Sequence, residues 1–260
     1  MEIVDPAAGP ENVRRVAAAG AEFCLTSITH YLRARAQSGP LAARFVAAVV
    51  QRHPMAGLVA AGSALVTPAD LGGARVGGPP GSGLLAEYRA GLSALGLAPP
   101  IVVPIDYDRA PAALGRGEVD VVADFADLLP RTRRQAGVPV RAVPLGLEVY
   151  GSGLVASDRV HLDVVHRMRA AVVAALEHQR THPTAGVEQL RHRYPDADPA
   201  DAVEGWQLVE PNIFTGGEPC AMETGRWAET LAWTASAHGL PVPEAETVYR
   251  PELALDTAQR

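Results

Sequence analysis

The segment Arg75–Ile105, RVGGPPGSGLLAEYRAGLSALGLAPPIVVPI, decides the fold. Arg75 and Val76 begin a strand that runs into the loop Gly77-Gly-Pro-Pro-Gly-Ser-Gly. A helix is predicted over Leu84–Leu95, with Gly96 just past its last turn, where a left-handed backbone closes helices. Ile101–Ile105 then reads as a buried strand. Strand, glycine-rich loop, helix and strand in this order form one α/β unit.

The same alternation extends on both sides. Upstream, Glu2–Asp5 reads as a strand. Asn12–Ala19 reads as a helix with Val13, Val16 and Ala17 on one face and Arg14 and Arg15 on the other. Glu22–Leu25 is a strand. Thr26, Ser27 and Thr29 offer N-caps to a helix through Tyr31, Leu32 and Arg35, which Gly39-Pro40 stops. Ala43–Val50 and Leu58–Ala61 are strands. Downstream come a short helix at Ala110–Leu114, a strand at Val119–Ala123, a helix at Leu128–Gln135 and a strand at Val140–Val143. Apolar strands alternating with helices call for parallel sheets with helices on both faces. Beyond Val160 the chain reads as mainly helical: Leu162–Gln179, Gly186–Tyr194, Ala200–Val209 and Arg226–His238. Pro195, Pro199 and Pro211 separate the later helices.

The 260 residues are 48% hydrophobic with a net charge of −6, enough for a sizeable core. All 23 basic residues are Arg, and Lys is absent. Without Lys there is no Schiff base with pyridoxal phosphate and no phosphate-binding lysine of a P-loop or kinase. The acidic balance leaves no basic stripe to displace counterions from nucleic acid. Cys24 and Cys220 lie far apart in sequence, and no CxxC or Cys/His zinc spacing occurs. No run of apolar residues is long enough to span a membrane. Met1–Pro10 has neither the basic nor the apolar part of a signal peptide. The chain as written therefore reads as cytoplasmic, and as extracytoplasmic if its N-terminus is truncated.

Candidate ligand contacts cluster at strand ends, where open α/β sheets collect ligands. In the glycine-rich loop, Gly81, Ser82 and Gly83 offer backbone N–H groups at a helix start to a carboxylate, sulfonate or phosphate. Equally, Ser82 serves as a cap in a tight turn. The spacing is neither GxGxxG nor GK[ST], so no dinucleotide or P-loop site is expected. Thr26 and Ser27 offer hydroxyls as ligand contacts or as caps, and His30 follows as a polar contact, a general base or a structural residue. Asp124 and Asp127 follow the strand at Val119–Ala123, with Phe125 placed to stack on a flat ligand. The two acids also suit the first turn of a helix. Asp108 reads as the cap of the helix after Asp106-Tyr107. No metal is expected at His161, His166, His178, His182 or His192, which fall in a helical, Arg-rich region, because His161 and His166 are five apart and no HExxH occurs. No cofactor is expected.

Four segments carry a resemblance. Val13–Leu25, VRRVAAAGAEFCL, is similar to a helix, GxADF turn and strand of the periplasmic-type solute-binding proteins of the second structural class. The similar branch is the thiamine-pyrimidine-precursor (NMT1-like) and taurine/alkanesulfonate-binding group. Asp70–Gly78, DLGGARVGG, is similar to its DLKGKKVGV passage into the second lobe. Asp108–Asp120, DRAPAALGRGEVD, resembles its aaLxxGxVDA segment, and Leu145–Ser157, LGLEVYGSGLVAS, its return crossing. Beyond these four, the tail RWAETLAWTASAHGL also resembles its late helix.

The resemblance implies a two-lobed α/β fold of type II, with parallel-type sheets and flanking helices and without its first βα unit. Residues 1–73 plus 147–260 would form lobe one and residues 74–146 lobe two. A small anionic or aromatic organic ligand would sit in an interlobe cleft, with contacts mapping onto Thr26, Ser27, Ser82 and Asp124. An ABC permease would be the partner if the chain is exported. The alternative is a cytosolic enzyme on the same scaffold, a lyase, dehydratase or decarboxylase acting on a small carboxylic acid with His30 or Asp124 as acid or base. Chorismate dehydratases, an aromatic sulfinate desulfinase and dihydroxyphthalate decarboxylases have this fold. The desulfinase's first-loop cysteine is absent here. So are the cysteine-rich motif and the lysine of the pyrimidine-synthase branch.

Overall fold

The computed structural model describes residues 2–4 and 9–255. The chain divides into two compact units. The first comprises Met1–His53, Glu148–Leu176 and Ile213–Arg260, and the second Pro54–Leu147 and Glu177–Asn212.

In the first unit, α1 (Pro10–Ala17) starts with proline at its first position and buries Val13 and Val16. β1 (Phe23–Ser27), α2 (Ile28–Ser38) and β2 (Ala43–Ala48) follow. β8 (Ser152–Ser157) lies between β1 and β2 and pairs antiparallel with both. α6 (Leu162–Thr181) begins in this unit, and α9 (Thr224–His238) completes it. The core is an aromatic stack. Trp227 lies 5.0 Å from Phe45, 5.2 Å from Tyr150 and 5.5 Å from Tyr249, between ring centroids. Tyr31 extends the stack, 4.9 Å from Phe45.

Gly153 fits this core because it has no Cβ. One added there would lie 2.5 Å from the Ala47 carbonyl oxygen and 2.7 Å from the Phe45 ring, at the point where the β2–β8 register shifts. Gly153→Ala should cost about 1–3 kcal/mol by overpacking. Urea unfolding followed by circular dichroism measures this, and an unchanged midpoint would contradict the close approach.

The second unit holds a five-stranded sheet in the order β5-β4-β6-β3-β7. Its strands are β3 (Met55–Ala60), β4 (Arg75–Gly78), β5 (Ile101–Pro104), β6 (Val121–Phe125) and β7 (Val140–Pro144). α3 (Gly83–Ala94) buries Leu85, Tyr88 and Leu92 at helical spacing. α4 (Ala110–Gly115) and α5 (Leu129–Ala136) join β5 to β6 and β6 to β7. Ala113, Leu114 and Leu129 pack with Leu58 and Val122 of the sheet. α7 (Pro183–Arg193) and α8 (Pro199–Ile213) complete the unit.

The second unit's sheet is mixed and the first unit's sheet is antiparallel, where the sequence pattern predicts parallel ones. β4 runs parallel to β5 and β6, as βαβ units require. β3 runs antiparallel to β6 and β7, as β8 does to β1 and β2. These two odd strands each follow a passage of the chain from one unit to the other. They are reached without a helical crossover, so nothing imposes a parallel direction on them. β8 itself is not among the strands predicted from the sequence.

The unit boundaries also differ from the expected ones. The first passage falls at His53/Pro54, not 73/74, because β3 is built into the second unit's sheet. The chain returns to the first unit at Leu147/Glu148. Residues 177–212 join the second unit. Arg133 pairs with Glu204, at 3.0 Å through Nη1, and Arg134 with Asp198 at 3.3 Å. A Cβ at Gly205 would lie 2.8 Å from the Asp127 carbonyl oxygen, so α8 sits hard against that turn.

Smaller differences have local causes. Residues 2–4 form no strand, and Asp5 lies outside the described residues. Pro211 lies within α8 and does not end it. Near a helix C-terminus proline still removes one N–H but disrupts only the last turns. The N-cap of α4 is Arg109, not Asp108, and no side chain caps that helix.

Candidate functional site

The parallel strands β4, β5 and β6 direct their carboxyl ends to one edge of the second unit's sheet. The loops 79–82, 105–109 and 126–128 therefore gather there. In the first of them, Ser82 Oγ accepts from the Leu85 backbone N–H at 3.3 Å and caps α3. Its own N–H donates to the Pro79 carbonyl at 3.1 Å. Gly81 has φ +79°, a left-handed value that favours glycine. The capping reading of Ser82 is thus realised, with Gly81 and Gly83 on either side.

Asp124 lies inside β6, paired with Ala56 of β3, and not beyond the strand as the sequence suggests. It is 5% exposed. One carboxylate oxygen accepts from the Tyr107 hydroxyl, and the other from the Phe125 N–H at 2.8 Å. Burial pushes the Asp124 carboxyl above its ordinary value, against the pull of these two donors and of Arg131. Burial and the facing carboxylate push the Tyr107 hydroxyl up as well. Phe125, the last residue of β6, is half-buried. Asp127 is raised by burial too.

Two clefts adjoin this edge. One, of about 510 Å³, is lined by Asp127, Leu128, Arg131, Leu190, Trp206 and Val209 among others. Its volume suits a small organic molecule, and most of its wall is apolar. The other, of about 330 Å³, lies between the first two loops, with Pro79, Pro80, Asp106 and Arg109 in its wall. Gly81, Ser82, Gly83, Asp124 and Phe125 line neither cleft.

In the first unit, β1 delivers Thr26, Ser27 and His30 to the start of α2. Thr26 is buried, 7% exposed. Ser27 is the N-cap of α2 and accepts from the His30 N–H at 3.2 Å. The His30 ring rests against Gly9, where a Cβ would come within 2.9 Å of Nε2. The expected contacts thus form two groups, one in each unit.

The sequence singles out none of Tyr107, Arg131 and Trp206 as a ligand contact, and Trp206 reads there as a core aromatic. Tyr107 had a visible signal, an aromatic directly after a strand's carboxyl end, but its flanking aspartates suggested only a cap. Arg131 and Trp206 had none, because the wall of the larger cleft joins α5 to helices some 70 residues later. Cys24 and Cys220 are free, and burial pushes both thiols up to about 11.

Several solved structures share this fold. One is the alkanesulfonate-binding protein SsuA from Xanthomonas axonopodis pv. citri bound to MOPS. It is 18% identical, with a TM-score of 0.61, and the match covers 96% of this chain and 86% of that one. Another is the periplasmic aliphatic sulphonate binding protein SsuA from Escherichia coli, 17% identical, TM-score 0.65, covering 87% and 73%. A third is a cysteine-to-serine variant of DszB in complex with biphenyl-2-sulfinic acid, 16% identical, TM-score 0.60, covering 94% and 87%. At these identities the likeness is one of fold. No curated protein matches by sequence. Residues 1–185 match the family model described as NMT1/THI5 like, and the chain belongs to that family.

Proposed function

We propose that the chain is a solute-binding protein that holds a small anionic or aromatic organic molecule, as the substrate-binding component of an ABC transporter. The observation that carries this reading is the strand-end edge of the second unit. A cleft sized for a small organic molecule there combines an apolar wall, the Trp206 ring and the Arg131 guanidinium. Aromatic surface takes a flat apolar body, and a guanidinium takes a carboxylate or sulfonate. Family membership and the sulfonate-binding proteins of the same fold support it. Among the described residues no helix is long and apolar enough to cross a membrane. Ser82 and Asp124, at the same strand-end edge, would supply polar contacts.

The test is a thermal-shift screen of alkanesulfonates, aminopyrimidines and aromatic acids. A ligand present at 100 times its Kd adds about 2.7 kcal/mol. For a chain of this size that raises Tm by roughly 5–10 °C. A folded protein with no shift across all three classes would overturn the reading.

A second reading, an enzyme on the same scaffold, is favoured by one observation. In the pair of half-buried Tyr107 and buried Asp124 both groups are raised, as acid–base residues often are. Incubation with small carboxylic acids, followed by mass spectrometry, separates the two: turnover lost in Tyr107→Phe supports an enzyme, and binding without turnover supports transport.

A further inference from the structure

The larger cleft of the second unit carries an acid as well as a base. The charged side chains in its wall are Asp127, Arg131, Asp198 and Asp201. The last two are engaged elsewhere. Asp198 accepts from the Ala200 N–H at 2.8 Å and pairs with Arg134, and Asp201 pairs with the same guanidinium. Asp127 and Arg131 form no ion pair among the described residues, either with each other or with another group. Two opposite charges of one cleft therefore stand without a counter-charge.

Asp127 lies in the turn before α5, and Arg131 in the first turn of that helix. Arg131 is exposed and Asp127 half-buried. Burial raises the Asp127 carboxyl, and only its own N–H pulls the other way. Around them the wall is apolar. Trp206 is half-buried with its Nε1 out of reach, so the part of the ring open to the cleft is hydrocarbon. Leu190 is 38% exposed. A ligand with an acid group alone would cover Asp127 and bring no cation to it. Desolvating an uncompensated carboxylate is costly, and a like charge beside it adds to the cost. A ligand that carries its own cation removes this cost and keeps the Arg131 contact.

Resting on the solute-binding reading above, we propose that this cleft takes a zwitterion with a bulky apolar body, an amino acid with an aromatic or large aliphatic side chain. Its ammonium would lie on Asp127, its carboxylate on Arg131, and its side chain against Trp206 and Leu190. An ammonium has donors alone and matches a carboxylate that lacks one. A guanidinium takes a carboxylate through two parallel hydrogen bonds. Asp127 and Arg131 are four residues apart, so one turn of chain supplies both charges. That suits the adjacent ammonium and carboxylate of an α-amino acid. The cleft volume of about 510 Å³ admits the side chain as well.

The experiment titrates the full chain, by calorimetry, with three probes that share one phenylalkyl body. They are phenylalanine, 3-phenylpropanoate with the acid alone, and 2-phenylethylamine with the amine alone. Phenylalanine should bind about tenfold or more tighter than either of the others. Asp127→Asn should abolish its advantage over 3-phenylpropanoate without weakening 3-phenylpropanoate itself. Arg131→Gln should weaken phenylalanine and 3-phenylpropanoate alike and spare the amine. Asparagine has the shape of aspartate and Arg131 is exposed, and unchanged circular dichroism confirms the fold of both variants. Wild-type 3-phenylpropanoate affinity equal to that of phenylalanine would overturn the inference and leave the acid-binding reading standing. So would phenylalanine affinity undiminished in either variant. If alkanesulfonates or aminopyrimidines bind and none of the three probes does, the inference falls alone. If nothing binds in either set, the solute-binding reading falls with it.

Discussion

Trp227→Ala is expected to destabilise the first unit by about 3–5 kcal/mol, the usual cost of emptying a buried tryptophan site. Trp227 is fully buried, and Phe45, Tyr150 and Tyr249 surround it at 5.0–5.5 Å between centroids. Those rings belong to β2, to the segment before β8 and to the chain after α9. One truncation therefore loosens three parts of the unit at once. The side chain also has a weakness, since its Nε1 is buried without a hydrogen-bond partner. An unmade bond at a buried donor costs roughly 1–3 kcal/mol. Trp227→Phe keeps a ring in the stack and removes that donor, so it should cost far less than Trp227→Ala. Urea unfolding followed by far-ultraviolet circular dichroism measures both. A Trp227→Ala midpoint equal to that of the wild type, or a Trp227→Phe loss as large as that of Trp227→Ala, would show that the stack does not hold the unit together.

The aromatic stack also shows where the sequence is legible. Each βα step is readable locally. Ser27 and Ser82 cap helices where their hydroxyls precede apolar periodicity, and Gly96 and Gly137 take left-handed backbones just past helix ends. Strand direction is a different matter. β3 and β8 have the apolar content of buried strands, but nothing in them encodes an antiparallel partner. Direction comes from how the chain arrives, and that is set by non-local connections. The anchoring of those connections is equally non-local. Arg226 Nε donates to the Glu148 carbonyl at 2.7 Å, Nη2 donates to the Gln51 carbonyl, and the guanidinium lies 4.4 Å above the Tyr150 ring. One residue of α9 thus holds the first-unit ends of both connections. No spacing in the sequence relates positions 51, 148 and 226. The candidate site divides in the same way. Asp124 and Ser82 stand out because strand ends are locally visible. Tyr107 reaches Asp124 only through the pairing of β5 and β6 with β4.

Asp124→Asn should change how stability depends on pH, and the sign follows from burial. The Asp124 carboxyl is raised above 3.8, with desolvation the leading cause and Tyr107, Phe125 and Arg131 pulling the other way. A raised acid keeps its proton longer in the folded chain than in the unfolded one. Its stabilising contribution is full below the unfolded value and is lost as pH rises through the folded value. Asparagine does not titrate, so the wild type should lose stability relative to Asp124→Asn as pH climbs from about 3.8 towards neutrality. Asp127 is raised in the same direction and remains in both proteins, so the difference between them isolates Asp124. Tyr107→Phe removes a donor that favours the charged form. It should push the carboxyl further up and move the loss to higher pH. Carbon-detected NMR titration of the Asp124 carboxyl reads the shift directly. Parallel pH slopes for the wild type and Asp124→Asn would refute burial as the governing cause. If Asp124 is also a ligand contact, as proposed, then Asp124→Ala should lower affinity at least tenfold for whichever compound the screen identifies. That truncation strands two donors, the Tyr107 hydroxyl and the Phe125 N–H, at the edge where the ligand would sit. Asp124→Asn keeps an acceptor for one of them and should lose less. Equal affinity in the wild type and Asp124→Ala would confine Asp124 to a structural role and move the ligand contact to Arg131 and Trp206 in the larger cleft.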